Sequence, residues 1–155
     1  MSRSVLIISF VILILFSSNI YTSAHRSNIE STVVINKLAN QSEVSRIIKL
    51  TQVDNMFLPD EITVLAGETI QFVIKNGGNK KHEMLIGPMA DLTQHAKMRR
   101  MFPEMDQSNP GLIQLEPGEQ KELVVQFTKA GRVDFACPLP GHFKRMRGKI
   151  FVEKK

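Results

Sequence analysis

The sequence predicts an all-β fold, a Greek-key β-sandwich or barrel with one short helix inserted around residues 90–102. Two observations carry that expectation. β-type segments follow one another at short intervals from about Val44 to Glu153, each closed by Gly, Pro or Asn turn residues. Helical spacing of apolar residues is confined to Ala90 to Phe102, where Leu92, His95 or Ala96, Met98 or Arg99, and Phe102 fall in step. The 155 residues suit a single domain and are enough to bury a core without disulfides.

Residues 1–24 read as a secretory signal. Arg3 supplies a positive start, Val5 to Phe16 an apolar run, and Thr22-Ser23-Ala24 the small residues before a cut. The run is shorter than the ~20 apolar residues a spanning helix needs. The expectation is therefore an exported chain with no stable membrane insertion after cleavage. Residues 25–43 are polar, with strand character only over Thr32 to Ile35, and read as a flexible lead-in. The domain is expected over 44–155.

Within it, Ser45 to Val53 alternates loosely, with Ile48 and Leu50 on one face. Ile62 to Leu65 runs into the turn Ala66-Gly67-Glu68, and Thr69 to Lys75 returns with Ile70, Phe72 and Ile74 on one face. Asn76-Gly77-Gly78-Asn79 breaks that strand, and the next runs from His82 to Ile86. After the helix come Gly111 to Leu115, Glu122 to Phe127, Arg132 to Ala136 and Gly148 to Glu153, separated by Gly-containing turns or by the Pro-rich segment after Cys137. Met98, Met101 and Met105 stand at the i, i+3, i+7 spacing of a buried helix face and are read as core packing rather than as thioether ligands.

Twenty Lys and Arg against fifteen Asp and Glu give a net charge of +5. With no basic run interleaved with aromatics, no nucleic-acid partner is expected.

Cys137 is the single cysteine, so an internal disulfide is excluded in a chain expected to be exported. Its surroundings point to a ligand. From Cys137 to Met146 one loop carries a thiolate, the His142 imidazole and the Met146 thioether, with Pro138, Pro140 and Gly141 setting its path. Two imidazoles and a thiolate with a long axial thioether form the blue-copper ligand set, and this loop holds three of the four. Of the remaining histidines, His82 opens a strand just after the Asn76–Asn79 turn, whereas His95 lies in the predicted helix and His25 in the lead-in. The predicted metal ligands are His82, Cys137, His142 and Met146, holding one Cu(I)/Cu(II) per chain.

The Cys-x4-His-x3-Met spacing is similar to that of azurin, and with the β pattern the chain over residues 44–155 resembles the cupredoxins. The phrases Phe135-Ala136-Cys137 to Pro140-Gly141-His142, His82-Glu83-Met84 and Gly148-Lys149-Ile150 look more like the small copper-tolerance cupredoxins of bacterial periplasms, whose closing loop tends to be one residue longer between histidine and methionine. Glu83 stands where plastocyanin and azurin carry Asn or Asp, which implies an altered hydrogen bond between the two ligand loops. The resemblance implies a periplasmic blue copper protein that transfers one electron, or alternatively one that binds or buffers copper. Either a redox protein or a copper-handling protein would dock near His142, where Leu139, Pro140 and Phe143 are apolar and Lys144, Arg145 and Arg147 are cationic. An oxygen- or nitrite-reacting enzyme is not expected, because only His25 and His95 remain for further copper.

Overall fold

Ile70, Phe72 and Ile74 alternate as buried apolar residues along Thr69–Asn76, and this strand lies at the centre of the first of two sheets. A computed structural model describes residues 35–38, 41–103, 109 and 111–155. The predicted signal over 1–24, His25 and Met105 lie outside the described residues.

Ten strands and one α-helix are described, besides a single 3-10 turn at Gln41–Glu43. In chain order they are β1 (Ile35–Leu38), β2 (Arg46–Val53), β3 (Met56–Leu58), β4 (Glu61–Leu65), β5 (Thr69–Asn76), β6 (His82–Gly87), α1 (Met89–Met101), β7 (Leu112–Leu115), β8 (Gln120–Phe127), β9 (Gly131–Ala136) and β10 (Arg147–Glu153). One sheet has the order β1-β8-β5-β2-β3 and the other β4-β10-β9-β6-β7. The pairings β2·β5 and β4·β10 are parallel and the others antiparallel. Sequence neighbours β3 and β4, β5 and β6, and β7 and β8 lie in different sheets, so the chain crosses the sandwich repeatedly. The predicted all-β sandwich with one helix is the architecture observed.

The two-residue period builds the core. Ile70, Phe72 and Ile74 of β5 and Leu123, Val125 and Phe127 of β8 meet Ile62 and Val64 of β4, Val133 and Phe135 of β9, and Ile150 and Val152 of β10. Phe57 packs edge-on to Phe135 with centroids 5.0 Å apart, and Phe72 edge-on to Phe127 at 6.3 Å. Gly148 is required beside Phe135, because a Cβ there would run into the Phe135 ring and the Asp60 carbonyl. The strand leading to Cys137 is thus held by Phe57 from the opposite sheet and by its ladder partner Gly148.

Three differences from the sequence reading have physical causes. Ile35–Leu38, inside the predicted flexible lead-in, pairs with β8, with Ile35 in register with Phe127. Met56–Leu58 is a strand too short to show a period, yet its Phe57 is buried. The helix face is the third. Leu92 packs with Leu85 and Ala136, and the buried face of the helix is Leu92, Ala96 and Arg99, which leaves Met98 half-buried and Met101 half-exposed. The predicted burial of Met98 and Met101 is therefore corrected: the third inward position belongs to Arg99, because a buried carboxylate lies beneath it. Among the described residues no helix is long and apolar enough to cross a membrane.

Candidate metal centre

His82 is the first residue of β6, and the chain before it is held by a buried side chain. Asn76 donates through Nδ2 to the carbonyls of Lys80 at 2.8 Å and Leu115 at 3.1 Å, while its Oδ1 accepts the Gly78 N–H at 2.9 Å. The turn between β5 and β6 is stapled to β7 in this way, and His82 enters the sandwich fully buried. Gln52 of β2 reaches across and donates to the Glu83 carbonyl at 3.2 Å, fixing the next residue of the same strand.

Cys137 follows β9 directly, and the loop to β10 is wound by its own backbone. The N–H groups of His142, Arg145 and Met146 donate to the carbonyls of Leu139 (3.0 Å), His142 (3.0 Å) and His142 (2.9 Å), and the Cys137 N–H donates to the Met146 carbonyl at 3.0 Å. Gly141 makes the tight bend with φ near +83°, where a side chain is strained. The loop closes on itself, so Cys137 and Met146 both end fully buried in the main core cluster.

The three nitrogen and sulfur donors converge. His82, Cys137 and His142 each place one ligand atom within 4.8 Å of the other two. His82 Nδ1 is 3.2 Å from His142 Nδ1, and His142 Nδ1 is 3.6 Å from Cys137 Sγ. The orientation of His82 is fixed from behind: Asp54, in the turn between β2 and β3, lies with Oδ1 3.0 Å from His82 Nε2. A carboxylate there accepts an Nε2 proton and leaves the Nδ1 lone pair facing inward.

Electrostatics suit a cation. Burial pushes the Cys137 thiol up to about 11, although N–H groups of Glu83 and Leu139 lower it in part. The Glu83 N–H donates to Cys137 Sγ at 3.3 Å. Burial holds His142 below the usual histidine value, reinforced by His82 and Lys80. The hydrogen bond to His82 holds Asp54 below the ordinary carboxylate value. Two imidazoles and a thiol that keeps its proton unless a metal displaces it form a soft donor set, fitted to copper.

Of the residues predicted from sequence, His82, Cys137 and His142 are brought together, and Met146 lies with Cys137 in the hydrophobic core cluster. His95 is not part of the group. It sits half-buried on α1 with its Nε2 buried and unpartnered, and burial lowers its basicity, with Arg99 adding to that. The hydrogen bond expected to change at Glu83 divides in two: its backbone still donates to the sulfur, but its carboxylate turns away to Arg99 and Gln114. Asp54, Gln52 and Arg99 carry no local signal that marks them.

The sequence profile of the cupredoxin-like domain matches residues 6–152. This chain belongs to the cupredoxin-like family. Among curated cupredoxin relatives, the copper-resistant cuproprotein CopI of Rubrivivax gelatinosus is 42% identical over 113 residues, covering 72% of this chain and 68% of that protein. CopI of Pseudomonas aeruginosa is 33% identical over 150 residues, covering 76% and 81%. Solved cupredoxins share the fold at lower identity. Auracyanin A, a blue copper protein from Chloroflexus aurantiacus, aligns with TM-score 0.59 at 22% identity, covering 69% of this chain and 98% of its own. Auracyanin B aligns with TM-score 0.61 at 15% identity, covering 76% and 94%.

Proposed function

We propose that this cupredoxin is an exported, non-enzymatic protein that holds one copper ion through His82, Cys137, His142 and Met146 and passes single electrons at the His142 edge. The convergence of two imidazole Nδ1 atoms and one thiol sulfur within 4.8 Å carries the reading. Copper bound by this set supplies a one-electron Cu(II)/Cu(I) couple. The chain's part is to hold the donors still and dry. Asp54 orients His82, Gln52 and Asn76 anchor the strand around it, and the 137–146 loop is closed by its own hydrogen bonds.

His82 and Cys137 are fully buried, whereas His142 is half-buried and reaches the surface. Exposed Pro140 and half-buried Leu139 and Phe143 surround it, with Lys80, Lys144 and Arg145 exposed nearby. The Arg147 guanidinium carbon stands over the Phe143 ring, 4.2 Å from its centroid, and Arg147 Nε donates to the Phe143 carbonyl at 2.7 Å. Such a face fits an acidic redox partner. Mixing the oxidised, copper-loaded chain with a reduced acidic c-type cytochrome should give electron transfer whose rate falls as salt rises. Transfer that is absent, or indifferent to ionic strength, contradicts this docking. Copper handling is the second reading, favoured by relatives named for copper resistance. Its mark is copper sensitivity of a strain lacking the gene.

Met146 separates a ligand from packing. Met146→Leu removes a weak donor that favours Cu(II) while keeping the volume, so copper should stay bound, stability should change by under ~1.5 kcal/mol, and the reduction potential should rise. Voltammetry showing an unchanged potential, together with an unchanged visible spectrum, would assign Met146 to the core alone.

A further inference from the structure

Among the described residues, a buried ion pair lies next to the donors. Glu83 and Arg99 are both buried, one on β6 immediately after His82 and the other on α1. Arg99 Nη2 donates to Glu83 Oε1 and Nε to Oε2 at 3.2 Å, the two-pronged geometry of a strong guanidinium–carboxylate pair. Gln114 of β7, directly opposite Glu83 in the ladder, donates to Oε1 at 2.9 Å, and Arg99 Nη1 donates to the Pro103 carbonyl at 3.2 Å. Three elements meet on one carboxylate. The backbone of that same residue donates to Cys137 Sγ at 3.3 Å.

A buried ion pair is a weak source of stability, since apolar residues of the same volume often serve as well. What this one does that apolar residues would not is place two opposite charges beside the sulfur and pin the residue whose N–H touches it. We propose that Arg99, Glu83 and Gln114 form a positioning cluster for the metal centre: Arg99 neutralises the Glu83 carboxylate, and the cluster holds the Glu83 N–H on Cys137 Sγ, so that helix α1 helps set the reduction potential. The inference rests on the copper reading above. Its charge logic has a sign. Removing the carboxylate alone leaves Arg99 positive next to a centre that gains positive charge on oxidation, which disfavours the oxidised form.

The test compares the copper-loaded wild type with Glu83→Gln and with the double variant Glu83→Gln/Arg99→Met, reading the reduction potential, the visible band and the melting temperature of the metal-free chain. Glu83→Gln should raise the potential, and the double variant should bring it back toward wild type. A merely structural pair would lower the melting temperature and leave the potential unmoved; that result overturns the proposal, as does a double variant that keeps the full shift. Should Glu83→Gln fail to fold, Arg99→Lys keeps the charge but loses the two-pronged contact. A shifted reduction potential together with a shifted visible band then supports the cluster, and a potential and band both unchanged contradict it. A wild-type chain that shows no thiolate-to-copper band overturns the copper reading and this one together, whereas a normal wild-type band with unresponsive variants overturns this one alone.

Discussion

Cys137→Ser is expected to abolish the intense visible absorption of the copper-loaded chain completely. The band requires a sulfur lone pair on the metal, and Cys137 is the single cysteine of the sequence. A serine hydroxyl at the same buried position keeps its proton far more tightly than a thiol and gives no comparable transition. The fold should survive. Ser is slightly smaller, and its Oγ can still accept the Glu83 N–H that reaches Cys137 Sγ, so the cost should stay within about 2 kcal/mol. Absorption spectra and thermal melts of both chains check the two halves of this expectation. A serine variant that retains the band would place the sulfur outside the centre.

The second large effect is a contrast between two histidines. His82→Ala removes an inward-facing Nδ1 and strands the Asp54 carboxylate that oriented it, so the intense band should be lost and copper should bind far more weakly. His95→Ala should leave the spectrum unchanged, because His95 lies on α1 outside the converging group. Copper titrations of the two variants followed by absorption decide it. Loss of the band in the His95 variant with retention in the His82 variant would reverse the assignment.

The donor loop was legible because its chemistry is local: a thiol, an imidazole and a thioether lie within ten residues on a segment bent by Pro138, Pro140 and Gly141. His82 was legible by its place at the start of a strand. The strands of the sandwich could be read wherever buried residues alternate, as on β5 and β8, and not where the strand is as short as β3. The supports of the site were not legible, for a different reason. Asp54 meets His82 across 28 positions of chain and Arg99 meets Glu83 across 16, and nothing in either local sequence announces the contact. The helix shows the same limit. Hydrophobicity put Met98 and Met101 on its inner face, but the face was decided by the buried carboxylate of Glu83, which turns an arginine inward and leaves Met101 half-exposed. Pairing between distant charges outweighed periodicity there.

Titration of the metal-free, reduced chain with Cu(II) decides whether one copper ion is held by a thiolate and two imidazoles. An intense visible band should grow linearly and saturate at one copper per chain. Weak ligand-field absorption alone, or saturation at a ratio other than one, would contradict it.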